Sequence, residues 1–236
     1  MENFIEINYE KNMSMLSQAV KYCETNFLHE DLINELALDN ELKKQLCIIL
    51  ISKLNSQSEA NLLVSNLTGK SGPIREAASA KILDLISDEN YCGYFQGESI
   101  LDVFVKAITD INPSVSRSLI EIVKFVDNAD YLYKNLITEI NKTLAELSEI
   151  KQNKSYVANK KNFNLYWNLE AIISISAKIN PQKELAEILE VTAMSNDYTI
   201  REKTAQVLSL FDNFIFYNAK NILKYDNNIY VKKYID

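Results

Sequence analysis

One sixteen-residue stretch constrains this chain more than any other: Ser71 to Ile86, SGPIREAASAKILDLI. It opens on a residue type whose side-chain oxygen caps helices, places a proline in the first turn, and then runs apolar at helical spacing. The same pattern, reworded, recurs at Asn112 (NPSVSRSLIEIV) and at Asp197 (DYTIREKTAQVL). A recurring capped helix is the signature of a chain built from repeated helical units. It constrains architecture far more than chemistry.

The first apolar residues of the recurring segments are Leu42, Ile74, Val115, Leu165, Ile200 and Ile229, separated by 32, 41, 50, 35 and 29 residues. Those gaps scatter around the ~40–47 of two-helix solenoid repeats. Three positions before each stand Asp39, Ser71, Asn112, Asn162, Asp197 and Asp226, all good N-caps. Positions four and eight further on are mostly apolar, so each segment has one buried stripe. Between them lie amphipathic partner segments at 30–38, 57–68, 98–111, 128–150, 181–194 and 213–224. Residues 1–28 read as an N-terminal cap whose helix, about 10–27, turns Met13, Leu16, Val20 and Phe27 inward. Two stretches break the pattern. Residues 88–97, with two of the four glycines, read as an irregular connection, and 151–161 as an exposed basic loop.

Composition narrows the function classes. Four glycines and three prolines are too few for an all-β fold, which needs turn residues every ~8–12 positions. No run approaches the roughly 18 apolar residues of a spanning helix, and the acidic N-terminus does not look like a secretory signal, so the expectation is a cytoplasmic chain without membrane partners. Three scattered cysteines (Cys23, Cys47, Cys92) and a single histidine, His29, predict neither disulfide framework nor metal site, and no cofactor is expected. Cys47 reads as a buried thiol. The net charge of −7 disfavours a nucleic-acid partner. It is unevenly spread: residues 1–133 carry 11 basic against 20 acidic side chains, residues 134–236 carry 14 against 12.

On these columns the chain resembles the HEAT repeat and its HEAT-like relatives, in which Asp/Asn-x-x-Ile/Val-Arg is followed by a small residue and then Val/Ile-Leu. The clearest copies keep the arginine as Arg75 and Arg201; in the third it is displaced to Arg117, and in two others Lys43 and Tyr166 occupy the slot. Asn112, Asp197, Pro73 and Pro113 complete the repeat-structural set. The resemblance implies an all-α, right-handed α–α superhelix, a HEAT-like solenoid of five to six helical hairpins in a single domain over 1–236. It also implies that the second helix of each pair lines a concave wall, and that the arginine pairs with an acid near the helix start, here Asp197 with Arg201. A lone helical hairpin cannot bury its apolar face, so stacking is physically required in any case.

On that wall the residue two past each anchor turns outward: Lys44, Glu76, Arg117, Trp167 and Glu202. This row is the candidate partner-binding face. Trp and Arg dominate interface energetics, although a solvated ridge would look the same. Aromatics gather twice, at Tyr131, Tyr133, Tyr156, Phe163, Tyr166 and Trp167, and again from Phe211 to Tyr234. The second group ends in half a repeat and invites self-association. The reading is therefore a non-enzymatic scaffold or adaptor that binds a protein on its concave face or aromatic C-terminal end, with no catalytic residue assigned. One alternative is a HEAT-like DNA glycosylase for alkylated bases, with Trp167 stacking on a nucleotide, Glu170 stabilising a cationic sugar, and Lys160 and Lys161 holding phosphates. Another is a lyase or chaperone subunit that handles a prosthetic group.

Overall fold

The computed structural model describes residues 18, 21, 22, 27–38, 40–150 and 155–235. Among these the chain is helical throughout, with no strand. Two compact units divide it, residues 1–95 and 96–236.

In the first unit the helices are α1 (His29–Glu35), α2 (Glu41–Leu50), α3 (Gln57–Ser65), α4 (Gly72–Ile86) and the single turn α5 (Glu89–Cys92). Helices α1 and α2 form one hairpin, α3 and α4 the next, and α2 packs along α4. On the other side His29 Nε2 reaches Glu59 Oε2 at 2.9 Å, tying α1 to α3. The fully buried Ile48, Ile51, Leu63, Leu67 and Ile82 fill the space between hairpins. Each such side chain contributes about 1.5–3 kcal/mol on leaving water.

The second unit repeats the plan with α6 (Glu98–Ile108), α7 (Pro113–Ile122), α8 (Ala129–Glu149), α9 (Ser155–Ile175), α10 (Lys183–Ala193), α11 (Tyr198–Leu210), α12 (Tyr217–Lys224) and α13 (Ile229–Lys232). Each hairpin, α6–α7, α8–α9, α10–α11 and α12–α13, stacks on the next one. Helices α6, α8, α10 and α12 form one row, and α7, α9, α11 and α13 the other. Two parallel rows of helices with the core between them make an all-α solenoid. Counted over both units, the described residues supply six hairpins.

The helix pattern of the sequence is largely what the chain adopts, and the departures have physical reasons. Asn162 is not a cap. It lies in the second turn of α9, because residues 155–161 contain no Gly or Pro to stop a helix. The expected basic loop is therefore helical from Ser155 onward, and Lys161 forms an ion pair with Glu146 on α8 that holds the longer helices together. Residues 151–154 lie outside the described residues. Asn228, not Asp226, caps α13, and α2 is capped by Asn40, next to Asp39, which is outside the described residues. Leu42 and Ile229 are exposed rather than buried, so the apolar stripe of α2 is carried by Leu46, Cys47 and Ile48 instead. Residues 88–97 form α5 and a short 3-10 turn that buries Phe95 completely, not an irregular link. Most of the expected helix over 10–27 falls outside the described residues; Gln18, Lys21 and Tyr22 are helical. None of the described helices is long and apolar enough to cross a membrane.

Candidate functional site

The repeat arginines come first, because they fix the turns that position everything else. Arg75 Nη1 donates to the carbonyls of Gly69 (2.9 Å) and Lys70 (3.1 Å). Arg201 Nη1 donates to the carbonyls of Ser195 (2.8 Å) and Asn196 (3.2 Å) in the same way. Each thus clamps the turn that precedes its own helix. In the third copy Arg117 is displaced and exposed, and Ser116 Oγ, in the slot of the other arginines, reaches the carbonyl of Asp110 at 3.1 Å. In all three the bonded carbonyl is six residues back. Pro73 and Pro113 occupy the first turns of α4 and α7, where no donor is lost.

The expected Asp197–Arg201 pair does not form. Arg201 turns to the following turn, with Nε 2.5 Å from Asp226 Oδ2 and Nη2 3.4 Å from Oδ1. The guanidinium holds the Asp226 carboxyl below its usual range. Asp197 stays with its own helix: Oδ1 accepts from the Thr199 backbone N–H at 3.0 Å and from Thr199 Oγ1 at 2.8 Å. Asn112 caps α7 likewise through Ser114 N–H.

The five residues of the expected row all stand on second helices of hairpins, but in different settings. Lys44 on α2 is half-buried and Glu76 on α4 exposed; Glu76 lines an open groove of about 590 Å³ with Gln45, Ile49, Ala77 and Lys81. Arg117 on α7 is exposed. Glu202 on α11 is half-buried and bridges to Lys233 Nζ at 3.2 Å; Tyr234, and then Glu202, push the Lys233 ammonium pKa up. Trp167 departs most from the expectation. It is 9% exposed, wedged edge-on between Phe163 (ring centroids 6.0 Å apart, 73°) and Tyr166 (5.4 Å, 86°). Its Nε1–H is buried without an acceptor. At this burial the ring is mainly a packing element, with only a sliver of it open to solvent. Glu170 is likewise committed, in an ion pair with the buried Lys203, whose Nζ also lies 4.8 Å from the centre of the Tyr166 ring.

The same geometry opens a cleft of about 330 Å³ between α9 and α11. Its walls are the aromatics Phe163, Tyr166 and Trp167, the side-chain amides Asn159 and Asn162, and the capping pair Asp197 and Thr199. Asn162 Nδ2 donates to Asp197 Oδ2 at 3.2 Å across the mouth. The sequence pattern points to the aromatics, reads Asn162 only as a cap, and passes over Thr199 and Asn159, the last because a loop is expected at 151–161 where α9 runs. Once the helix begins at Ser155, positions 159, 162, 163 and 166 share one face, and that spacing was present in the sequence.

The fold and this cleft define a class: an α-solenoid of stacked helical hairpins with a lined depression on its second-helix row. No protein-family model matches the chain, and no curated protein matches it. Among solved structures it is similar to the designed armadillo repeat protein YIII(Dq)4CqI, at 14% identity and TM-score 0.49, covering 89% of this chain and 97% of that one. Two engineered proteins are similar at 14% identity, with TM-scores of 0.45 and 0.43 and coverage of 89% and 88% of this chain and 96% and 93% of theirs. The repeat assignment stands on the stacking order of the chain's own helices.

Proposed function

We propose that the protein is a non-enzymatic binding scaffold that holds an extended segment of a protein partner against the second-helix row at α9 and α11. The observation that carries this reading is the α9/α11 cleft, where aromatic walls and side-chain amides meet in an open depression of about 330 Å³. That volume sits at the small end of ligand sites, fit for one side chain and its flanking backbone. Amides suit such a ligand because each offers both a donor and an acceptor to a peptide unit. The test is selection from a random twelve-residue peptide library on the full chain, followed by affinity measurement. Binding should fall at least tenfold with Tyr166→Ala or Asn162→Ala and be untouched by Arg117→Ala. Peptides that bind both cleft variants as well as the native chain would overturn the reading.

A second reading concerns the C-terminal aromatics. Phe214 is 86% exposed and stacks on Tyr217 with ring centroids 5.7 Å apart, which favours a contact between two copies of the chain. Sedimentation equilibrium should then show weak self-association that Phe214→Ser abolishes; a monomer at all concentrations would remove this reading.

A further inference from the structure

Resting on that peptide-binding reading, we propose that the α9/α11 cleft selects an arginine side chain of the partner segment. Charge points there first. The cations on the neighbouring turns of α9 and α11 are spent: Lys161 on Glu146, Arg201 on Asp226, Lys203 on Glu170. Asp197 lines the cleft and has no Lys or Arg partner among the described residues, so the lining carries one carboxylate that no cationic side chain neutralises. Lys160, exposed on the same helix, is not part of the lining.

Hydrogen-bond polarity points the same way. Around Asp197 two donors of the lining are already engaged: the Asn162 amide N–H and the Thr199 hydroxyl both donate to its carboxylate. Beside the carboxylate these two groups present acceptors, Asn162 Oδ1 and the Thr199 oxygen. A carboxylate has about four acceptor positions, and these donors with the Thr199 backbone N–H occupy three, leaving one on Oδ2. An edge of acceptors around a carboxylate is matched by a group with several donors, a positive charge and no acceptor, which is the guanidinium. The walls favour it over an ammonium. Guanidinium is flat, weakly hydrated and stacks on aromatic rings. One of these rings, Tyr166, already holds a cation, with Lys203 Nζ 4.8 Å from its centre.

The test takes peptides enriched on the full chain from the random library, and resynthesises each with every Arg replaced in turn by citrulline, which keeps the shape and removes the charge. Asp197→Asn is the matching protein variant, since Asn caps a helix as well as Asp does. Affinity is read by the fluorescence of Trp167, the chain's only tryptophan. The enriched peptides should share one Arg, and citrulline there should weaken binding at least tenfold in the native chain. In Asp197→Asn the same replacement should cost no more than about twofold. Peptides that tolerate citrulline, or lose equally in both proteins, would overturn the arginine assignment while leaving the peptide-binding reading intact. Failure to enrich any peptide sensitive to Tyr166→Ala would remove both.

Discussion

Two openings between successive second helices invite contrast: the α2/α4 groove of the first unit and the α9/α11 cleft of the second. Both come from the same local plan, a capped helix stacked on its predecessor. The α2/α4 groove is larger, about 590 Å³ against about 330 Å³, yet Ala77 and Ala80 form part of its floor, and Lys81 and Asp84 pair with each other 3.3 Å apart. The α9/α11 cleft carries three aromatic rings, two amides and an unmatched carboxylate. Size does not distinguish a site here. The difference lies in which side chains the repeat frame holds at a handful of positions, and in whether their charges are already spent.

Substitutions can break this contrast, beginning with the strongest. Trp167→Ala should destabilise the chain by about 3–5 kcal/mol, as large buried aromatics do, while Trp167→Phe should cost under about 1.5 kcal/mol because it also removes an unpaired buried N–H. Urea denaturation measures both; equal small losses would mean that the cleft wall is not core. Arg201→Ala comes next, at about 2–3 kcal/mol, since it leaves the shielded Asp226 unpaired and unclamps two carbonyls. Arg117→Ala should stay within about 0.5 kcal/mol. Ser116→Ala, which frees one carbonyl, should cost about 1 kcal/mol.

The smallest effect is a pH dependence. Arg201 depresses the Asp226 pKa below its unfolded value, so the stability it brings is fully present above about pH 4 and is lost as the pH falls through the folded value. Glu146 is depressed in the same direction by Lys161. Asp226→Asn should therefore lower stability at neutral pH and flatten its fall in acid. An unchanged acid slope would contradict the bridge.

Much of this was legible in the sequence. The stripes at Ile74, Ala78 and Ile82, at Val115, Leu119 and Val123, and at Ile200, Thr204 and Leu208 are buried as their spacing demands, because a 3.6-residue period is a direct imprint of packing. The edges were less readable. Leu42 and Ile229 keep the pattern but are exposed, since the period does not say whether a neighbour is present to cover a stripe. The cleft was half legible: aromatics at Phe163, Tyr166 and Trp167 stood out by type, while Asn159, Asn162 and Thr199 have types common on any surface. Arg201 shows the hardest limit. Its choice of Asp226, 25 residues away, over Asp197 four residues away is decided by the stacking of the next turn, which local spacing does not encode.

The central claim is that a partner segment lies on α9 and α11 rather than on α2 and α4. Hydrogen–deuterium exchange of the full chain with a saturating selected peptide tests this most directly. Added protection should centre on residues 156–169 and 198–206, with 72–84 exchanging as in the free chain. Protection confined to 72–84, or none on α9, would contradict the account.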